Sequence, residues 1–110
     1  MEHFTAEQPN AGRTWLDEYR TRIESIRVRA EQARDRVATV TATARTRDGA
    51  VVVTVDASGM LTDLRLGVRA EELPRARLAE TVLRLSREAA LDSAAQVERI
   101  MAPLTAEGEQ

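Results

Sequence analysis

Arginine is the residue type in this chain most able to act on another molecule, and it is laid down with a period. Within residues 19–36, YRTRIESIRVRAEQARDR, an arginine–any–arginine phrase recurs every seven positions: Arg20 and Arg22, Arg27 and Arg29, Arg34 and Arg36. A guanidinium is a permanently charged fork of N–H donors that matches carboxylates and phosphates. A row of them can neutralise a polyanion, flank the seam of an acidic partner helix, or stand in water at little cost. All 16 basic residues are arginine.

Catalytic chemistry has no comparable foothold. Cysteine is absent and the one histidine, His3, falls in a polar N-terminal stretch. No group of His, Cys and Asp has the spacing of metal ligands. The segment Asp56-Ala57-Ser58-Gly59 sits between two apolar alternating runs and reads as a turn, not as a phosphate loop before a helix. Asp17-Glu18 reads as a complement to a helix dipole, and Glu71-Glu72 as a solvated connector. No enzyme activity, cofactor or metal is therefore expected.

The net charge is −2, unevenly placed. Residues 13–47 hold nine arginines against five acids, while residues 48–110 hold seven against eleven. One part of the chain thus favours an anion. No signal peptide or apolar run of membrane-spanning length is present, and the chain reads as cytoplasmic.

The elements that must carry these arginines follow from periodicity. Residues 1–12 read as a flexible tail, with Pro9, Asn10 and Gly12. Thr14 and Asp17 resemble a helix start. From there Leu16, Tyr19, Ile23, Ile26, Ala30, Ala33, Val37 and Val40 alternate steps of three and four, a heptad seam. The predicted helix covers about residues 14–37, roughly 35 Å at 1.5 Å per residue.

The period then switches to two. Val40, Ala42 and Ala44 alternate with Thr41, Thr43, Arg45 and Arg47, and Asp48-Gly49 marks a hairpin. Val51, Val53 and Val55 share one face of a second strand. After Ser58-Gly59, a third strand is expected to set Met60, Leu64 and Leu66 against Leu61, Asp63 and Arg65. Pro74 opens a last helix with a stripe at Leu78, Val82, Leu85, Ala89, Ser93, Val97, Ile100 and Leu104, ending near Pro103. Residues 105–110 read as an acidic tail. The fold class is α+β: long N-terminal helix, three-stranded antiparallel meander, long C-terminal helix. Two raw sheet edges and overhanging apolar helices favour a homodimer.

With Leu16 at heptad position a, arginines fill every e (Arg20, Arg27, Arg34) and every g (Arg22, Arg29, Arg36). A parallel pairing of this helix with its own copy would set arginine against arginine. The bland role of the seam is packing on the last helix, where Glu88 and Asp92 flank the stripe. On the first helix, Arg20, Arg22, Arg27 and Arg34 have acids three or four residues away. The corresponding neighbours of Arg29 and Arg36 are Ser25, Ile26, Gln32, Ala33, Thr39 and Val40, none of them acidic. That g rail is where phosphate contacts are expected. Arg45 and Arg47 either extend the basic surface or guard an edge strand.

The block DGAVVVTVDASGMLTDLRL, followed by a proline-started helix, resembles the YbaB/EbfC family of bacterial nucleoid-associated DNA-binding proteins, in an actinobacterial-type form. The carrying segments are Val51–Val55, the turn Asp56–Gly59 and Leu61–Leu66, with a likeness spanning residues 13–104 as one domain. The resemblance implies a tweezer-like cytoplasmic homodimer, associated with the nucleoid, that binds DNA with low sequence specificity through its first and last helices. Carried onto this chain, the DNA-binding positions are Arg22, Arg29 and Arg36, with Arg84, Arg87 and Arg99 on the last helix. The alternative is a protein-interaction or chaperone-like dimer whose exposed seam and Trp15/Tyr19 end accept a helix of a protein partner, in keeping with relatives tied to specialised secretion loci (the EspL-like group). No membrane partner is expected.

Overall fold

The structure, a computed structural model, describes the backbone of residues 2–109 and the side chains of residues 13–105. Its elements run α1 (Glu2–Ala38), β1 (Ala42–Arg45), β2 (Val51–Val55), β3 (Leu61–Leu66), a short 3-10 helix (Val68–Glu72) and α2 (Arg75–Glu109). The three strands form one antiparallel sheet in the order β1-β2-β3. This is the expected α+β arrangement.

Both helices outrun their sequence signals. α1 is helical from Glu2, not from Thr14, and α2 continues through Pro103 to Glu109. The early segment EHFTAEQ includes the good helix formers Glu2, Ala6, Glu7 and Gln8. Pro103 lacks the N–H that would reach the Arg99 carbonyl, so it weakens the helix locally without ending it. The side chains of His3 and Phe4, and of the acidic C-terminal stretch from residue 106, lie outside the described residues. No described helix is long and apolar enough to cross a membrane.

The chain divides into two compact units, Met1–Gln32 and Ala33–Gln110. The first is a single stretch of α1. Its heptad seam stands open, with Leu16, Tyr19, Ile23 and Ile26 all exposed.

The second unit holds the core. Along β2 burial alternates, so that Val51, Val53 and Val55 are wholly covered while Val52 and Thr54 are only partly so. Ala42, Ala50, Ala70, Ala89 and Leu85 complete the buried cluster, with Ala44, Leu78 and Val82 packed against it. The many alanines let α2 lie close to β1 and β2. Each fully buried valine or leucine contributes roughly 2 kcal/mol relative to exposure.

The two turns of the meander share one construction. In the first, the Gly49 N–H donates to the Thr46 carbonyl at 3.0 Å, and in the second the Gly59 N–H donates to the Asp56 carbonyl at 3.0 Å. Gly49 and Gly59 have φ of 72° and 83°, and no other described residue type takes a positive φ. A two-residue type I′ loop, which needs two positive values, is therefore excluded. These are turns closed by a left-handed glycine. In each, an aspartate stitches the loop. Asp48 Oδ1 accepts from the Ala50 N–H at 3.0 Å and the Thr46 hydroxyl at 2.9 Å. Asp56 Oδ1 accepts from the Ser58 N–H, the Ser58 hydroxyl and the Met60 N–H at 2.9, 2.6 and 3.0 Å.

On β3 the expected facing needs correction. Val51 pairs with Leu66, Val53 with Leu64 and Thr54 with Asp63, but Val55 pairs with Leu61, skipping Thr62. This bulge moves Leu61 onto the face of Leu64 and Leu66, where strict alternation had put Met60. The leucine face of β3 is nevertheless open: Leu61, Leu64 and Leu66 are 44%, 40% and 52% exposed. An α-helix is about 10 Å across and strands lie about 4.8 Å apart, so one helix roofs two strands. α2 roofs β1 and β2.

Candidate nucleic-acid interface

All six arginines singled out from the sequence, Arg22, Arg29, Arg36, Arg84, Arg87 and Arg99, carry exposed side chains. Their surroundings differ. On α1 the compensation of charge is concentrated at one position. Arg27 reaches Glu24 at 2.6 Å and Glu31 at 2.9 Å, clamped between carboxylates one turn before and one turn after it. The hydrogen bond from Arg27, and then its charge, hold the Glu24 carboxyl below its ordinary pKa. The spread of pairing foreseen along the e rail is thus narrower than the neighbour rule implied. Among the described residues no ion pair forms at Arg20, Arg22, Arg34 or Arg36.

Arg29 departs from expectation in the other direction. It is engaged in an interaction within the chain. The neighbour rule counts only carboxylates three and four residues away, whereas a guanidinium has five donors and a long reach. Among the described residues Arg36 thus forms no ion pair, whereas Arg29 is not free.

On α2, Arg84 is bonded to Glu88 at 3.1 Å. Asp92 accepts from the Gln96 amide at 3.1 Å, and the same amide donates to the Thr41 carbonyl at 3.1 Å. The two acids proposed as flanks for a docked helix are thus engaged by α2's own side chains. Arg84, Arg87 and Arg99 fall within roughly 120° of the α2 wheel at 100° per residue, Arg87 opposite the direction of Leu85 and Ala89 and Arg99 at its border. Glu80, Glu88 and Glu98 share that arc. This face carries both signs, unlike the g positions of α1, which carry arginine alone from Arg22 to Arg36.

The sheet contributes a smaller feature that sequence alternation only half showed. On the face turned away from the core, Arg45 pairs across to Val52 and Val52 to Arg65, which places the two arginines in one row. Beside them Thr43 and Thr54 share a hydroxyl hydrogen bond of 3.1 Å, opposite Asp63. Arg65 is bonded to Asp63 at 3.0 Å. Arg65 was foreseen only as an outward residue; its alignment with Arg45 required the register.

The Trp15/Tyr19 end of α1, which the alternative reading of the sequence assigns to a partner helix, also stands in line with the arginines. Trp15 is seven residues before Arg22, so an aromatic side chain heads the g rail. Its ring stacks on that of Tyr19, with centroids 5.8 Å apart and planes 11° from parallel.

Chemically, these side chains suit contact with anions. Exposed guanidiniums that carry permanent charge can neutralise phosphates. Among the described residues no group of three or more His, Cys, Asp or Glu is placed to hold a metal ion. No curated protein matches the chain. The model of the YbaB/EbfC DNA-binding family matches residues 15–108, which takes in the α1 rails, the whole sheet and α2 up to residue 108. By that match, over most of its length, the chain belongs to the YbaB/EbfC DNA-binding family.

Proposed function

We propose that this protein binds DNA as a homodimer with little regard to base sequence, using phosphate contacts along the g positions of α1, and acts at the nucleoid. The family match carries the reading. The exposed Arg22 and Arg36, which form no ion pair among the described residues, support its mechanism. Guanidinium–phosphate contacts fix position on a duplex but carry no base information, hence the tolerance of sequence. Arg29 contributes from the same rail, and Arg84, Arg87 and Arg99 add a second, charge-mixed surface on α2.

The dimer is supported by β3. It is an edge strand with an open leucine face, next to Met60 and Val68, which are also exposed. Unpaired N–H and C=O groups along such an edge, together with uncovered leucines, are satisfied by a second copy.

Fluorescence anisotropy on a duplex of about 30 bp tests the reading. With six phosphates neutralised, log affinity falls against log salt with a slope of about −5. A flat salt dependence, or no binding at low salt, would rule it out.

A further inference from the structure

We propose that the stacked Trp15 and Tyr19 form a platform for unpaired bases, so that α1 takes single-stranded DNA in preference to duplex. The proposal rests on the DNA-binding reading and deepens it by naming the form of nucleic acid.

The geometry comes first. Residues four apart on a helix share a face. The near-parallel rings, with centroids 5.8 Å apart, are slipped over one another in an offset stack. They are not sheltered by it: Trp15 remains 64% exposed and Tyr19 52%. An indole held in one orientation by a second ring, with much of its surface in water, is preorganised to receive another flat π system.

Its position then selects the ligand. Trp15 and Arg22 occupy the same heptad position, separated by about 10.5 Å along the axis with a drift of only about 20° per heptad. Platform and guanidinium therefore lie along one line of the helix. Trp15, Glu18, Tyr19 and Arg22 together line a shallow concavity of about 160 Å³. A cationic track beside an aromatic stack is the arrangement that holds single strands, where each base can lay its face on a ring while the backbone follows the charge. A duplex keeps its base faces covered, so the platform offers it nothing beyond its ends.

Charge points the same way. This end of α1 carries Arg13, Arg20 and Arg22 together with Asp17 and Glu18. A duplex presents one phosphate per about 1.7 Å of axis because two strands share it, and a lone strand has a lower charge density. A mixed surface with spaced cations suits the lower density.

The chain contains one tryptophan, so its emission reports this position alone. The full-length protein is titrated with an oligothymidylate of about 20 nucleotides and with a duplex of the same length. The single strand is expected to quench Trp15 and to bind at least about fivefold more tightly than the duplex. With labelled oligonucleotide, Trp15→Ala and Tyr19→Ala each weaken single-strand binding about tenfold and leave duplex affinity within about twofold. Unchanged circular dichroism checks that these exposed substitutions preserve the helices. Equal affinity for both forms, with both variants behaving as the parent, overturns the platform and leaves DNA binding standing. Failure to bind either form overturns the DNA reading itself. A concentration-dependent blue shift of Trp15 without DNA, lost together with self-association in Trp15→Ala, assigns the platform to a second copy of the chain and also overturns the proposal.

Discussion

The hydroxyl of Ser93, wholly buried on α2, donates to the backbone carbonyl of Asp56 at 2.6 Å, tying the helix to the β2–β3 turn. The same carbonyl accepts the Gly59 N–H at 3.0 Å. One oxygen thus holds both the turn and the helix that roofs the sheet. Ser93 interrupts an otherwise apolar stripe for this reason.

Replacing Ser93 by alanine removes one of the two bonds to that oxygen. Because Gly59 still satisfies the carbonyl, the loss is about 1 kcal/mol, not that of an orphaned acceptor. A melting temperature about 5 °C lower is expected by circular dichroism. Ser86 provides the control, since its hydroxyl returns only to the Val82 carbonyl of its own helix at 2.7 Å. Ser86→Ala gains helix propensity and should not lower the melting temperature.

The two turn glycines should respond unequally to alanine. Both occupy left-handed backbone, which costs a residue with a Cβ about 1–2 kcal/mol. At Gly49 an added Cβ meets nothing within 4 Å, whereas at Gly59 it lies 3.3 Å from the Ala90 Cβ. Gly59→Ala therefore destabilises more than Gly49→Ala in urea titrations, because α2 must shift as well.

Acid should loosen both turns. Asp56 is held below its ordinary pKa by the Ser58 hydroxyl and then by the Met60 N–H, and Asp48 by the Ala50 N–H and then by the Thr46 hydroxyl. A depressed folded pKa means stability fully present above the unfolded value of about 3.9 and lost as pH falls through the folded one. Urea midpoints should decline below about pH 5. The Asp48→Asn/Asp56→Asn variant, which keeps an oxygen acceptor but cannot titrate, should show a flatter profile and a lower midpoint at neutral pH.

Arginine variants separate the rails of α1. Arg22→Gln/Arg29→Gln/Arg36→Gln is expected to weaken binding of unrelated duplexes to a similar degree and to remove most of the salt slope of about −5 in anisotropy titrations. Arg27→Gln removes a cation already clamped by Glu24 and Glu31, so its effect should stay within about twofold. An equal loss in both variants would remove the g rail from the mechanism.

Leu64→Asp tests the assignment of β3 to the dimer. A carboxylate on the open leucine face disfavours burial against a second copy by several kcal/mol. Light scattering should then give the monomer mass, with helix content retained because Leu64 is already 40% exposed within the chain.

The order of elements, the buried valine face of β2 and the turn glycines were all legible in the chain. So were the two arginine rails. Each of these depends on spacing within a segment, since the pitch of a helix and the pleat of a strand decide which side chains share a face. The helix ends were not legible, because Pro103 signals a stop that the helix passes through. Nor was the bulge at Thr62, which moved Leu61 to the leucine face when β3 met β2. Arginine partnership also escaped local rules. Several acids stood within reach of several cations, and the folded side chains joined Arg27 to two of them while leaving Arg36 with none among the described residues. Periodicity inside one segment follows from backbone geometry alone. Which surfaces are covered, which register two strands adopt and which charge meets which are properties of elements brought together, and these came only from the tertiary structure.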